Sequence, residues 1–151
     1  MRVLYLVPQP KRPDRIGAYS FIDEEIEALA DEPDPRARAA RILQEVLPLD
    51  DERRAEMQVW LAFTMRAVVD PGLRHLRDGA HAALRGLCRQ ITHGLGSGDP
   101  DRDAERLHAF VDELALHAVL TPHVTTPERQ KALLAAELDA LAGSVVPRRT
   151  S

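Results

Sequence analysis

Four places in this chain carry the same two-residue signal, and they divide it before any periodicity is counted. Asp34-Pro35, Asp70-Pro71, Asp99-Pro100 and Thr126-Pro127 each stand at the head of a stretch patterned for a helix. The first turn of a helix leaves backbone N–H groups without partners. Asp or Thr can accept from them, and proline, with its fixed φ and no N–H, suits the first helical position. Asp50, ahead of Asp51 and Glu52, makes a further start, and Pro48 stops the helix before it. These punctuation marks predict helices near 35–47, 51–69, 71–93, 100–120 and 127–142. An earlier stripe of Phe21, Ile22, Ile26 and Leu29 adds a short helix over 20–32. No alternating strand pattern occurs beyond residue 7. The expected fold is therefore an all-α bundle of about six helices. Residues 1–19, with Pro8, Pro10 and Pro13, form an irregular arm, and 143–151 a flexible tail; the domain proper is 20–142.

Each predicted helix carries an apolar stripe. Ala39, Ile42, Leu43 and Val46 form the first. Leu73, Leu76, Ala80, Ala83, Leu84, Leu87 and Ile91 form that of 71–93, with Gly94–Gly98 as a flexible connection after it. The stretch 51–69 is apolar on two sides. Met57, Trp60, Leu61, Thr64, Met65 and Val68 share one face, with Val59 and Phe63 opposite, which predicts a central helix buried between neighbours. The last two helices are also two-faced. Leu107, Phe110, Val111, Leu114 and Ala118 face a core, while Ala109, Leu116 and Leu120 lie opposite. Leu134, Leu138 and Leu141 face a core, while Ala132, Leu133, Ala136 and Ala140 face elsewhere. A second apolar face rich in alanine invites close helix packing. Its occupant is a second copy of the chain, through an interface of Ala109, Leu116, Leu120, Leu133, Ala136 and Ala140, or else residues 1–30 folded over it.

Composition removes several function classes. A net charge of −4 offers no basic footprint for nucleic acid. No apolar run is long enough to span a membrane, and residues 1–7 are too short for a signal peptide. The single cysteine, Cys88, excludes an internal disulfide and suits a reducing cytoplasm. Enzyme chemistry lacks a constellation. The six histidines include no i, i+4 pair and no HExxH, so no metal or cofactor is expected. His108 and Asp112 are four apart, and the wheel reading puts them on a polar flank as a solvated pair. Cys88 lies on a core stripe. A binding cavity has more support. Met57, Trp60, Phe63 and Thr64 on one helix, with Phe110, Leu114 and His117 on another, offer adaptable apolar groups and a few polar ones. Ordinary helical cores share that composition.

Residues from about 35 to 142 resemble the C-terminal domain of TetR-family transcriptional regulators, most closely the BetI-type subgroup. The phrases that carry the resemblance are LPLDDERRAEMQVWLAFTMRAVVDPGLRHL (47–76) and LHAFVDELALHAVLTPHVTTPERQKALLAAELDAL (107–141). Asp112 and Leu114–Leu116 stand where the subgroup carries Asp-Gly-Leu-Ala, with Glu113 in place of the glycine. The resemblance implies an all-α domain that binds a small apolar or amphipathic effector. It also implies a homodimer in which the last two helices form a four-helix bundle. In such regulators the effector moves an N-terminal helix-turn-helix and releases operator DNA. The recognition helix there often ends in Leu-Tyr-x-x-Phe-x-x-Lys. Leu4, Tyr5 and Lys11 keep that spacing with Pro8 in place of the Phe, as an eroded remnant or by coincidence. The expectation is a repressor-type regulator's sensing and dimerising domain, from a truncated gene or one whose start is placed too late, with DNA binding only if a helix-turn-helix is supplied. The alternatives are a stand-alone module that titrates full-length relatives and, from a different class, a small helical enzyme.

Overall fold

A computed structural model describes residues 31–143. The predicted helix over 20–32, the arm over 1–19 and the tail beyond 143 lie outside or at the margin of the described residues. Five α-helices follow: α1 Pro35–Val46, α2 Asp51–Val69, α3 Arg74–Gly94, α4 Pro100–Leu120 and α5 Pro127–Gly143. No strand occurs among the described residues, and no described helix is long and apolar enough to cross a membrane.

The capping signals act as their chemistry requires. Asp34 Oδ1 accepts from Arg36 N (3.1 Å), Asp50 Oδ1 from Arg53 N (2.8 Å), Asp99 Oδ1 from Arg102 N (3.3 Å) and Thr126 Oγ1 from Arg129 N (3.3 Å). Asp70 also accepts, from Gly72 N at 3.0 Å, but the turn it starts is a 3-10 turn over Pro71–Leu73 that runs on into α3. At the end of α1, Leu47 is extended (φ −87°, ψ 146°), as a residue before proline must be.

The core forms where the stripes of α1, α3, α4 and α5 meet. Ala39, Ile42, Leu43 and Val46 are all buried, and so are Leu84, Leu87, Cys88, Leu107, Val111, Leu134, Leu138 and Leu141. The most extensive contact is between α3 and α4; α1 packs chiefly on α5, and α2 chiefly on α4. Polar ties fix these pairings. Arg36 reaches from α1 to Asp139 (2.6 Å) and the Ala135 carbonyl (3.1 Å) on α5, and Arg106 pairs with Glu137 (2.7 Å) across α4 and α5. Gln130, fully buried on α5, donates to the Thr125 carbonyl at 3.2 Å and, at 3.4 Å, to that of Pro48 in the α1–α2 connection.

Two expectations are corrected. The Gly94–Gly98 segment is a tied cap rather than a flexible connection. Leu95 N and Ser97 N donate to the Ile91 and Thr92 carbonyls, Gly96 takes φ +70°, and buried Ser97 donates to Asp103. The left-handed conformation at Gly96 is one that a β-carbon would strain. Second, α2 is peripheral and not the central buried helix. Only Trp60 and Ala67 are buried on it, while Met65 is 68% and Val69 72% exposed. A helix apolar on two sides does not say which side has a neighbour, and here α4 and α3 cover only one.

Candidate functional site

Where α2 lies against α3 and α4, a cavity of about 190 Å³ remains. Met57, Trp60, Leu61 and Thr64 line it from α2, His81 from α3, and Ala109, Asp112, Ala115 and Leu116 from α4, with Val46 at one end. Its wall is apolar apart from His81, Asp112, Glu113 and the Thr64 hydroxyl, which is buried without a hydrogen-bond partner. Trp60 is the aromatic wall. Its ring packs at a tilt against Phe63 at a centroid distance of 5.4 Å and lies 6.2 Å from the His81 ring. A larger cleft of about 240 Å³ runs between α1 and α3, lined by Arg38, Ala39, Ile42, Leu87 and Gln90 among others. It carries no converging polar set, so the smaller cavity is the better-built site despite its size.

His81 and Asp112 also belong to a polar cluster with His108, which is not itself part of the cavity wall. His108 Nε2 lies 3.3 Å from Asp112 Oδ2 without an aligned hydrogen bond, and His81 Nδ1 lies 4.0 Å from the same oxygen. The two imidazole rings are 5.8 Å apart. The local cause is helical spacing: one turn of α4 brings His108 and Asp112 together, and the tight α3–α4 packing adds His81. Burial lowers the His108 pKa, and the nearby charge of Arg85 pushes it the same way while Asp112 opposes. Burial likewise raises the Asp112 carboxyl, against the pull of the two histidines. Cys88 is fully buried, and desolvation, helped by Asp112, pushes its thiol up to about 12.

Of the seven residues expected to bind a ligand, Met57, Trp60 and Thr64 line the cavity. Phe63 backs Trp60. The other three are not brought to the wall. Leu114 is buried in the main core and Phe110 packs against it. His117 is exposed and pairs with Glu113 at 2.9 Å. Among the interface residues, Ala136 and Ala140 are exposed, Leu120 is 65% exposed and Leu133 is half-buried against the core. Ala109 and Leu116 turn toward α2 and line the cavity.

The polar-flank reading of His108 is corrected: His108 is 9% exposed, because α3 covers that flank of α4. A signal for this existed. His108 falls on the wheel beside Ala104, Val111 and Ala115, all buried. His81, one turn before Leu84 on α3, had no motif to mark it.

The described chain thus has the architecture of a TetR-type C-terminal bundle, with a small, mostly apolar cavity between its helices. A solved transcriptional regulator from Rhodococcus sp. Rha1 has the same fold, with a TM-score of 0.74 and 26% identity over 89% of each chain. Over residues 35–143 the sequence matches the family described as BetI-type transcriptional repressor, C-terminal, and the chain belongs to that family. It is 32% identical over 117 residues to the HTH-type transcriptional regulator PksA of Bacillus subtilis (strain 168), a match covering 71% of this chain and 54% of that relative. The chain therefore spans about half the length of this curated relative.

Proposed function

We propose that this domain senses a small apolar or amphipathic effector in the α2–α3–α4 cavity and dimerises through the outer faces of α4 and α5. The observation that carries the reading is the cavity itself, in which Trp60 and Met57 supply apolar area and Thr64, His81 and Asp112 supply orienting groups. A cavity this size takes a ligand of about one substituted aromatic ring, since a cavity of roughly 150 Å³ holds benzene. Exposed Leu120, Ala136 and Ala140 support the dimer, in which α4 and α5 of two copies make four helices. Ala109 and Leu116 join the two roles, because they line the cavity from the helix that carries the interface. An effector that displaces α2 or shifts α4 alters the dimer geometry, and DNA binding changes where a helix-turn-helix is attached. The setting of such a regulator is the cytoplasm.

Light scattering tests the dimer, and a thermal-shift screen of small aromatic and amphipathic compounds tests the cavity. A dimer at about 10 μM, dissociated by Ala136→Glu or Ala140→Glu without loss of helical circular dichroism, is the expected result. A wild-type monomer at that concentration would sink the dimer, and a uniformly silent screen the sensor. Leu116→Glu is the poorer variant, since it also fills the cavity.

A further inference from the structure

We propose that His81 Nδ1, His108 Nε2 and the Asp112 carboxylate form a binding site for a divalent transition-metal ion of the zinc class. The three donor atoms lie within 4.8 Å of one another. A tetrahedral ion with bonds of about 2.0–2.1 Å needs its donors about 3.3 Å apart. The His108–Asp112 separation of 3.3 Å already meets that, and the His81–Asp112 distance of 4.0 Å needs a small rotation. His81 has room for it, with a third of its side chain exposed.

A second observation points to a ligand. His108 is nine-tenths buried, and its Nε2 faces the cluster with no hydrogen bond. A buried imidazole nitrogen left unpaired is costly unless something is bound to it. Two imidazoles and one carboxylate select zinc, nickel, cobalt or copper over calcium and magnesium, which want oxygen donors. Three protein donors leave one position of a tetrahedral ion open, and two of the three donor residues, His81 and Asp112, line the cavity. The site stands whether or not the cavity takes an organic effector.

The test uses the full chain freed of any purification tag. Zn²⁺ binding is followed by calorimetry, and Cu²⁺ binding by quenching of Trp60, the single tryptophan, whose ring is 6.2 Å from His81. One Zn²⁺ per chain and saturable quenching are expected. His81→Gln and Asp112→Asn should each weaken binding by at least about tenfold with the helical signal unchanged. His93→Gln and His123→Gln, at exposed positions on other parts of the surface, should leave binding intact. The proposal is overturned if Zn²⁺ does not bind at about 0.1 mM, or if it binds equally well to the His81 and Asp112 variants. A chain that binds Zn²⁺ but no organic compound would refute the effector reading alone, and the converse would refute the metal site alone.

Discussion

Replacing Thr64 by valine should stabilise the domain. Thr64 sits in the middle of α2 with its side chain in the cavity wall, and its Oγ1 is buried without a hydrogen-bond partner. A hydroxyl taken from water and left unpaired costs about 1–3 kcal/mol. Valine has nearly the same shape and a similar helix propensity, so the substitution removes the cost while leaving the packing in place. Because Thr64 is only half-buried as a residue, the lower end applies, about 1 kcal/mol of added stability. Over the 113 described residues that raises Tm by about 4 °C. With a urea slope of about 2 kcal/mol/M, it moves the midpoint by about 0.5 M. The assay is urea unfolding followed by circular dichroism, at one fixed protein concentration so that dimer dissociation does not enter the comparison. The same variant should bind polar aromatic ligands less well than wild type, since it loses the hydroxyl that orients them. Destabilisation by Thr64→Val would refute the reasoning. It would mean that the hydroxyl bonds a carbonyl of the preceding turn, as helical threonines often do.

Other outcomes follow from particular contacts. Asp50→Ala removes the 2.8 Å cap on Arg53 N and should cost about 1 kcal/mol in the same unfolding assay; an unchanged midpoint would show that α2 does not depend on its cap. Leu138→Ala empties a fully buried core position and should cost about 3 kcal/mol, several times the effect of Ala140→Gly on the exposed side. Cys88, with its thiol pushed up to about 12, should resist Ellman's reagent at about pH 8 until the chain is unfolded; rapid labelling of the folded chain would contradict its burial. His108 has a lowered pKa when folded, so below about pH 6.5 the unfolded chain binds the extra proton more readily and stability falls with pH. Asp112, raised by burial, pulls the other way in more acid solution, because its folded form takes up a proton sooner. His108→Gln should therefore flatten the loss of stability just below about pH 6.5, and identical slopes for the two proteins would refute it.

The parts of the fold legible in the sequence are those fixed by neighbours along the chain. The Asp-Pro and Thr-Pro starts marked the first residues of α1, α4 and α5, because a cap is a local hydrogen bond, whereas that of α3 comes three residues after Pro71, behind a 3-10 turn. The stripes of α1 and α5 named the buried apolar residues correctly, since each helix has one covered face, but not Gln130, a polar residue buried on α5. The α2 reading failed for the opposite reason. Its apolar residues run around the helix, and only the placement of α3 and α4 decides that Trp60 is buried while Met65 and Val69 are not. The candidate site was half legible. Met57, Trp60 and Thr64 were found because they share one helix face. His81 was missed because it lies 27 residues from His108 in sequence and meets it only through α3–α4 packing. Phe110 and Leu114 look like cavity residues on a wheel, but the core claims them.

The central claim is that the cavity beside Trp60 is a ligand site and not merely imperfect packing. Fluorescence of that one tryptophan, titrated with small aromatic and amphipathic compounds, tests it most directly when run beside Ala115→Phe, which fills the cavity from α4. A saturable change in Trp60 emission is expected for wild type and none for the folded Ala115→Phe protein. Equal responses from both, or no response from wild type to any compound, would contradict it.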